Sequence, residues 1–521
     1  MTGRLLPLRL PRVCVAVLGD DPAEMLDKAE AIVRENSFLE FRLDYLKQPA
    51  LALPKLKRFF ELHPDAIAIG TCRRAANGGR FKGSVASQIE VLTKAAATGC
   101  QLVDVELETA EAIKPAEWQR LRSKCAVVLS YHDFRATRKL EETFARMQEV
   151  TADYYKVVST ATRLYDNVTM VKFLNDKSYT HSVVGLCMGE QGIISRVLGL
   201  RAGSVFTFAA ATPGEETAPG QVCFRTLRDK YRIEQVDAAT RVYGVAGDPV
   251  SHSLSPAMMN AAFRRENVNA VYLALHAKKL DDLLDSMRDI PVNGASVTLP
   301  YKQEIVEHLD NTDVITTRVG ACNTVVRGAE GKIYGFNTDV AGIVRPLEKR
   351  LQLSGAKILV IGAGGAARSA VFALKDKGAN VFVMNRTAPT GQKLAKQAKA
   401  KYVKRSELKK YTFDVIINAT PLGMEGSMAK LSPLNENEIK TRYLFDMVYT
   451  PAETPLVKMA RAAGALIIPG IEMFVQQGVR QFELWTGKPA PAEEMQHVVE
   501  MELAARAARK NGSGNGTRPR A

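Results

Sequence analysis

The stretch Lys357-Ile-Leu-Val-Ile-Gly362-Ala363-Gly364-Gly365-Ala366-Ala-Arg368 carries the clearest structural signal in the chain. Residues 358–361 form an apolar run typical of a buried strand, and the glycines follow at once, before a segment with helical periodicity. Glycines at such a turn let the backbone approach a pyrophosphate, whose charge the N-terminus of the next helix stabilises. The stretch therefore predicts the first strand, turn and helix of a nucleotide-binding domain, with residues 362–366 in contact with the cofactor.

An arginine stands where an NAD-binding domain would place an acid. About 20 residues beyond the glycines, such domains hold the ribose hydroxyls with Asp or Glu. This chain has Asn385-Arg386-Thr387 there, directly after the apolar run 381–384. A guanidinium can pair with a 2′-phosphate and stack on adenine. We therefore predict NADP as the cofactor, bound by these three residues.

Polar clusters precede the glycine turn, in a second series of strands and helices that starts near residue 242. Ser253 and Ser255 stand before a helix, where hydroxyls either cap the helix or bind a carboxylate. Lys302 and Asp339 each fit a surface salt bridge as well as a catalytic role. The segment also contains the strings Val297-Thr298-Leu-Pro300-Tyr-Lys302, Asn323-Thr324 and Asn337-Thr338-Asp339.

The first ~230 residues alternate between apolar runs and amphipathic, helix-like segments. Eight such runs are strand candidates, at residues 13–18, 38–43, 66–71, 102–107, 126–131, 154–158, 182–188 and 205–210. Eight strand-helix units in this length predict a (β/α)8 barrel. A doubly wound open sheet remains the alternative, because periodicity does not separate the two.

Charged residues collect at the C-terminal ends of these strands, where barrel enzymes place their active sites. Lys156 lies between apolar neighbours, and a buried lysine near arginines is released as the neutral amine that attacks a ketone. The alternative is a strand-edge lysine whose amine reaches water, and His132 is equally compatible with a simple turn histidine. Together they indicate an imine-forming lysine beside an acid/base group.

This half resembles the type I 3-dehydroquinate dehydratases over residues 12–225. The resemblance rests on ordered motifs: Glu40-x-Arg42-x-Asp44, Thr71-x-Arg73, Ser130-Tyr-His132-Asp133-Phe134, Lys156, Ser195-Arg196 and Ala218-Pro-Gly-Gln221. It implies that Lys156 forms a Schiff base with the C3 ketone and that His132 moves the C2 proton. It further implies that Arg196 holds the substrate carboxylate and that the hydroxyls are held by Glu40, Arg42, Arg73, Thr217 and Gln221.

Two positions depart from this family pattern. Asn77 stands before Gly78-Gly79, where the family commonly has a glutamate that orients the histidine. An amide supplies no charge to an imidazolium, so we predict a working but slow dehydratase, a hypothesis against which an unchanged turnover in Asn77→Glu would count. Thr217 replaces the usual serine and keeps the hydroxyl.

The second half resembles the shikimate dehydrogenases over residues 242–505. Besides the strings above, it contains Asn418-Ala-Thr-Pro-Leu-Gly-Met424 and Phe474-Val-Gln-Gln477-Gly. The resemblance implies that Lys302 donates the proton in ketone reduction, with Asp339 as its partner, and that Ser253 and Ser255 bind the carboxylate. The ring hydroxyls would be held by Thr298, Asn323, Asp339 and Gln477, and the nicotinamide would lie near Met447 and Gly470. Ser296 replaces a usual asparagine, which predicts one weakened substrate or lysine contact.

Composition narrows the class of protein. Of the 521 residues, 46% are apolar and 24% are charged, and no apolar run reaches the roughly 18 residues that span a bilayer. The formal net charge of +15 is spread along the chain, so we expect small anionic substrates and neither a nucleic-acid nor a membrane partner. The seven scattered cysteines include no Cys-x-x-Cys, which predicts no metal site and indicates a reducing cytoplasm.

We therefore predict an α/β protein with two enzymatic halves, whose substrates and products are 3-dehydroquinate, 3-dehydroshikimate and shikimate. A quinate/shikimate dehydrogenase with dehydratase, and a ligand-binding regulator that has lost catalysis, are the alternatives. A monomer is compatible with the sequence, which does not determine the oligomeric state. The predicted domains are a barrel at 1–230, a substrate-binding lobe at 241–345, a Rossmann-type NADP domain at 346–475, C-terminal helices that pack on the substrate lobe at 476–509, and a disordered tail at 510–521.

Overall fold

The computed structural model describes residues 9–290 and 292–512, which form two compact units. The first unit comprises the described residues up to 241 together with 275–290, and the second comprises 242–274 and 292–512. In this described part of the chain, no helix is long and apolar enough to cross a membrane.

Eight parallel strands form the first sheet, in the order β7-β6-β5-β4-β3-β2-β1-β8. They are β1 (Val13–Val17), β2 (Phe38–Arg42), β3 (Ile67–Thr71), β4 (Leu102–Glu106), β5 (Ala126–His132), β6 (Tyr154–Thr160), β7 (Val183–Met188) and β8 (Thr207–Ala210). The sheet closes because β1 pairs with β8, and because the Val205 amide, just before β8, donates to the Val183 carbonyl at 2.9 Å. This closure confirms the predicted barrel over the open sheet.

Helices follow the strands of the barrel at α1 (Pro22–Val33), α2 (Leu53–Leu62), α3 (Val85–Thr98), α4 (Leu107–Ala112), α5 (Pro115–Arg122), α6 (Leu140–Gln148), α7 (Tyr165–Lys177) and α8 (Ile193–Arg201). Polar side chains start two of them: Asp21 accepts from the amides of Ala23 and Glu24, and Ser84 accepts from the Ser87 amide. Every residue of β2, β3 and β4 is buried. Charged residues on these strands therefore lie inside the protein and need partners there.

A mixed sheet and a parallel sheet follow. The mixed sheet has the order β10-β9-β11-β13-β14-β12. Its strands are β9 (Arg241–Gly247), β10 (Ala270–His276), β11 (Val292–Val297), β12 (Asn311–Thr312), β13 (Thr324–Arg327) and β14 (Ile333–Phe336). The helices of this region are α9 (Ser255–Arg265), α10 (Leu280–Asp289), α11 (Val314–Val319) and α12 (Asp339–Glu348).

The parallel sheet has the order β17-β16-β15-β18-β19-β20. Its strands are β15 (Lys357–Ile361), β16 (Asn380–Met384), β17 (Lys401–Tyr402), β18 (Phe413–Asn418), β19 (Thr441–Asp446) and β20 (Leu466–Pro469). The remaining helices are α13 (Gly365–Asp376), α14 (Ala388–Gln397), α15 (Pro455–Ala462), α16 (Gly470–Thr486) and α17 (Ala492–Gly512). The strand order reverses between β15 and β18, and such sheets bind ligands at that point. The Rossmann-type prediction is confirmed.

Two predicted boundaries need correction. Helix α16 runs unbroken from Gly470 to Thr486, so a boundary between 475 and 476 would divide one hydrogen-bonded helix. The C-terminal helical segment therefore begins at Gly470. Helix α17 extends to Gly512, within the predicted tail, and the rest of that tail (513–521) lies outside the described residues.

Candidate active sites

Lys156 lies on β6, inside the barrel, with 4% of its surface exposed. Its Nζ donates a hydrogen bond to Asp104 Oδ2 at 2.9 Å and lies 3.8 Å from the centre of the Phe208 ring. The sequence predicted arginines around this amine, but its hydrogen-bond partner is a carboxylate. The alternative of a strand-edge lysine that reaches water does not fit this burial.

Asp104, on β4, joins three strands of the barrel and was absent from the predicted site. Besides Lys156, it accepts hydrogen bonds from Arg73 Nη2 at 2.8 Å and from Ser130 Oγ at 2.7 Å. Burial by itself raises the pKa of Asp104, but the charges of Arg73 and Lys156 outweigh it and hold that pKa well below its usual range. The sequence signal for Asp104 was an acid placed between apolar residues in the buried strand β4.

His132 ends β5 and contacts the same network. Its Nε2 lies 2.8 Å from Arg73 Nη1. A guanidinium can only donate, so Nε2 is the acceptor and the neutral ring carries its proton on Nδ1. Burial, Arg73 and Lys156 lower the pKa of His132 well below its ordinary value. The imidazole is therefore neutral near pH 7.

Arg196, on α8, is a buried guanidinium with unused donors. It is 1% exposed, and its Nη1 makes a long hydrogen bond of 3.4 Å to the Phe208 carbonyl. Its Nε and Nη2 have no partner among the described residues. Burial lowers the pKa of Arg196 to about 10. Since Phe208 also underlies Lys156, this arrangement suits an anionic group bound next to the lysine.

The other predicted barrel residues are bonded to neighbours of their own. Glu40 Oε1 accepts from Thr71 Oγ1 at 2.8 Å, and Arg42 makes two bonds to Asp44, at 2.9 and 2.8 Å. Thr217 and Gln221 are joined by Oγ1 and Oε1 at 3.0 Å. The loop that carries them is held against the end of β7 by a bond of 2.8 Å from the Gly189 amide to the Pro219 carbonyl.

Asn77 is attached to a neighbouring acid. It lies in a 3₁₀ turn, Ala75–Asn77, and its Nδ2 donates to Glu108 Oε2 at 2.9 Å. Gly78 follows with a φ of 79°, in the left-handed region, and a side chain there would collide with the Phe134 ring. The Asn77 side chain is thus bonded to Glu108, whereas the hydrogen-bond partner of His132 is Arg73.

In the second unit, Lys302, Asp339 and Asn323 meet. Lys302 Nζ donates to Asp339 Oδ2 at 2.6 Å, and Asn323 Nδ2 donates to Asp339 Oδ1 at 2.8 Å. The aspartate is the first residue of α12, where the helix dipole stabilises its charge. Asn323 is fixed in turn, because its Oδ1 accepts from the Thr338 amide at 2.7 Å. The sequence also allowed Lys302 or Asp339 to form an isolated surface salt bridge. That alternative is excluded, since Asp339 is 3% exposed.

Ser296 belongs to a buried network that the sequence did not predict. Its Oγ lies 2.5 Å from Tyr272 Oη and 2.7 Å from Gln481 Oε1. Gln481 Nε2 continues the network to Thr324 Oγ1 at 3.0 Å, which bonds Asn323 Oδ1 at 2.9 Å. Gln481 was missed, although it follows Gln477 by one helical turn and so lies on the same face of α16.

The remaining predicted substrate-side residues make local hydrogen bonds. Ser253 Oγ accepts from the Ser255 amide at 3.2 Å, at the start of α9. The Thr298 amide donates to the Ala246 carbonyl at 2.9 Å, and Gln477 Nε2 donates to the Phe474 carbonyl at 2.8 Å. Ser253 and Thr298 are partly exposed.

The glycine turn contacts Lys302. Gly362 has a φ of 120°, and a Cβ on it would lie 2.9 Å from the Ala419 carbonyl oxygen. Gly364 faces open space, and Gly365, the first residue of α13, packs against Lys302, whose Cβ would be 3.1 Å from a Cβ at 365. Lys302 therefore lies beside the start of α13, next to the open space in front of Gly364.

The remaining predicted cofactor residues lie at the ends of neighbouring strands. Asn385 Nδ2 donates to the Thr387 carbonyl at 2.9 Å and shapes the turn that presents Arg386, which is exposed. Gly470 packs so closely on Met447 that a Cβ would lie 2.7 Å from the Met447 carbonyl oxygen. Ala363 and Ala366 flank the glycines.

Four family models match successive parts of the chain: type I 3-dehydroquinase at residues 13–238, shikimate dehydrogenase substrate binding domain at 245–325, shikimate/quinate 5-dehydrogenase at 346–447, and shikimate 5′-dehydrogenase C-terminal domain at 470–500. A shikimate dehydrogenase (NADP(+)) of Pyrococcus furiosus is 37% identical over 275 residues, which is 51% of this chain and 97% of the relative. The crystal structure of Thermus thermophilus shikimate 5-dehydrogenase in complex with NADP(H) and shikimate is 33% identical, with a TM-score of 0.47, and covers 50% of this chain and 99% of that chain.

One relative spans both halves. The chloroplastic bifunctional 3-dehydroquinate dehydratase/shikimate dehydrogenase of Arabidopsis thaliana is 33% identical over 505 residues, covering 92% of this chain and 83% of the relative. The order of the family models is the order of the barrel and the two following sheets. The chain therefore belongs to the family of bifunctional 3-dehydroquinate dehydratase/shikimate dehydrogenases.

Proposed function

We propose that this chain dehydrates 3-dehydroquinate to 3-dehydroshikimate in its barrel and reduces 3-dehydroshikimate to shikimate with NADPH in its second unit. The observation that carries the proposal is a lysine–aspartate pair in each half: Lys156 with Asp104 at 2.9 Å, and Lys302 with Asp339 at 2.6 Å. The product of the first reaction is the substrate of the second, so one chain supplies both enzymes in equal amounts.

In the dehydratase, Lys156 Nζ attacks the C3 ketone and water is lost, which forms an imine. His132 takes the proton from C2, and the electron pair moves into the protonated imine. The C1 hydroxyl then leaves as water, with the proton that His132 returns. Hydrolysis of the imine releases 3-dehydroshikimate and regenerates Lys156, so the net reaction is the loss of one water.

The substrate is held by the charged groups at the ends of the barrel strands. Arg196 pairs with the carboxylate, because its buried Nε and Nη2 have no partner in the described structure. The hydroxyls are held by Glu40, Arg42, Arg73, Thr217 and Gln221, which are buried or partly buried at that end of the barrel.

In the dehydrogenase, Lys302 donates a proton to the ketone oxygen, and Asp339 holds Lys302 and one ring hydroxyl. Ser253 and Ser255 bind the substrate carboxylate at the start of α9, where the helix dipole favours an anion. Thr298, Asn323 and Gln477 bind the ring hydroxyls.

The residues around the glycine turn fit NADP. Gly364 leaves open space in front of the twelve-residue helix α13, and Arg386 is exposed where a 2′-phosphate would need a cation. The pyrophosphate would be held by residues Gly362, Ala363, Gly364, Gly365 and Ala366, the adenosine phosphate by Asn385, Arg386 and Thr387, and the nicotinamide near Met447 and Gly470. NADPH supplies the hydride when it is bound.

We further propose the domain limits 1–230, 241–345 and 346–469, followed by C-terminal helices from Gly470. A cytoplasmic location agrees with the free cysteines of the described structure, whereas the Arabidopsis relative is described as chloroplastic. We propose a monomer, which sedimentation of the purified chain would test.

The test of the function is one reaction mixture of the full-length protein, 3-dehydroquinate and NADPH. We expect NADPH oxidation after a lag, with shikimate as the product. If only added 3-dehydroshikimate restores oxidation, the dehydratase proposal is wrong. If neither compound leads to NADPH oxidation, the chain is better interpreted as a ligand-binding regulator. Oxidation of quinate with NAD would favour a quinate/shikimate dehydrogenase.

A further inference from the structure

We propose that Asp104 is a positioning residue for both reacting groups of the dehydratase, Lys156 directly and His132 through Arg73. The inference rests on the proposed function and assigns a role to a residue that the sequence motifs left without one. Through Arg73, Asp104 would set both the orientation of the His132 ring and its strength as a base.

The carboxylate of Asp104 bonds side chains on three other strands or their ends. Its Oδ2 accepts from Lys156 of β6, and its Oδ1 accepts from Ser130 of β5 and from Arg73, which follows β3. Because β4 lies between β3 and β5 in the barrel, one central carboxylate reaches both sides. With 1% exposure, it has little contact with water to weaken these bonds.

Arg73 transmits this position to the base. Its Nη2 bonds Asp104 and its Nη1 bonds His132 Nε2, both at 2.8 Å. A guanidinium is planar, so fixing one edge on the carboxylate fixes the direction of the other donor. The bond also selects the tautomer with the lone pair on Nε2, which becomes available for the substrate proton once Arg73 donates to a substrate hydroxyl instead.

Other acids near the strand ends are engaged elsewhere. Glu40 bonds Thr71, and Asp44 bonds Arg42. Glu106 bonds Gln88 and the Arg74 amide, and Glu108 bonds Asn77. Asp104 is thus the acid, among those described at this end of the barrel, that is hydrogen-bonded to both Lys156 and Arg73.

The charge of Asp104 also sets the strength of the base. Three cations act on His132 from the surrounding strand ends, namely Arg73, Lys156 and Arg42, and lower its pKa, while Asp104 raises it. Replacing Asp104 by asparagine removes the opposing charge. The pKa of His132 then falls further, the base weakens, and the acid limb of the dehydration rate moves to lower pH.

The experiment compares full-length wild type with Asp104→Asn and with Glu108→Gln, a matched loss of one carboxylate just beyond β4. Four quantities are measured: the turnover of dehydration, its acid limb, the imine trapped by borohydride as a mass increase, and reduction of 3-dehydroshikimate by NADPH. For Asp104→Asn we expect the turnover to fall about 100-fold, with the acid limb at lower pH and less imine trapped than in wild type, because Lys156 loses its partner. Reduction stays unchanged, and Glu108→Gln stays within about twofold.

A dehydration turnover within about threefold of wild type, or an unmoved acid limb, overturns the inference. Should Asp104→Asn also lose the reductase rate, the chain has misfolded, and Arg73→Lys decides instead. This variant keeps the cation but cannot bridge Asp104 and His132, so the inference requires a lower kcat with an unchanged KM and imine yield, and an unchanged kcat overturns it. A wild type that reduces 3-dehydroshikimate but never dehydrates 3-dehydroquinate refutes the proposed function, and the inference with it.

Discussion

The barrel and the second unit each contain a lysine bonded to a buried aspartate, but the surroundings of the two pairs differ. The side chains of Lys156 and Asp104 are 5% and 1% exposed, and an aromatic ring covers the amine. The side chains of Lys302 and Asp339 are 16% and 4% exposed, and the lysine packs against Gly365 at the start of a helix. The same pair of residues is thus fully buried in one site and partly exposed to solvent in the other.

This difference matches the two kinds of chemistry that we propose for the two lysines. A lysine that forms a covalent imine must hold one geometry and exclude stray water, which the closed barrel provides. A lysine that donates a proton in each turnover must be re-protonated, which partial access to solvent allows. The environment of the pair, more than the pair itself, separates a nucleophile from a general acid.

The largest effect should come from removing the covalent lysine. We expect Lys156→Ala to lower the dehydration rate by at least about 10⁴-fold, because no other amine is bonded at that position in the described structure. Borohydride labelling in the presence of 3-dehydroquinate should disappear, while NADPH-dependent reduction persists. The exposed Lys94→Ala serves as the control, and labelling of Lys156→Ala to the wild-type extent would refute the assignment.

The corresponding change in the second unit should have a smaller effect. Lys302→Ala removes a general acid, so we expect turnover in the reductase reaction to fall about 10³-fold, with dehydration unchanged. Steady-state kinetics of both reactions on the same preparation would measure this contrast. Equal losses in both reactions would mean that the variant is misfolded and that the contrast cannot be drawn from it.

Arg386→Ala tests the cofactor. Losing a charge-assisted pair to the 2′-phosphate costs about 1.5–3 kcal/mol, or roughly 10- to 100-fold in the KM for NADPH. The KM for NADH should not rise, since NADH has no such phosphate. If both cofactors weaken equally, Arg386 does not read the phosphate.

Position 77 offers a smaller, reversible test. The double variant Asn77→Glu/Glu108→Gln reverses the polarity of the Asn77–Glu108 bond and brings a carboxylate to position 77 without placing two acids together. If the missing charge slows the dehydratase, its turnover should rise about threefold, a small electrostatic effect. Turnover at or below the wild-type level would contradict the slow-dehydratase hypothesis.

The smallest change is expected from pH. The pKa of His132 lies well below 6.5, because burial, Arg73 and Lys156 disfavour its protonated form. A base works when neutral, so activity is retained above the folded pKa and lost only as pH falls through it. The dehydration kcat/KM of wild type should therefore change less than about twofold between roughly pH 8 and pH 6 through this group. A loss of kcat/KM centred near the ordinary histidine pKa would show that the pKa of His132 is not lowered.

The sequence by itself determined the strands of the barrel. The apolar runs agree with the observed strands to within two residues at each end, because buried parallel strands need continuous apolar residues. The same holds for the glycine turn, whose backbone angle at Gly362 no other residue adopts easily. Ordered motifs likewise singled out Lys156, His132, Lys302 and Asp339, whose catalytic roles stay predictions that the variants above test.

Only the tertiary structure decided that the eight strands close, since closure requires β8, at the end of the barrel segment, to meet both β1 and β7. It also decided the partners of the lysines. Asp104 lies 52 residues from Lys156, and Gln481 lies 185 residues from Ser296, so no local pattern joins them. Periodicity reports which face a side chain is on, whereas a hydrogen bond depends on which distant side chain the fold brings to that face.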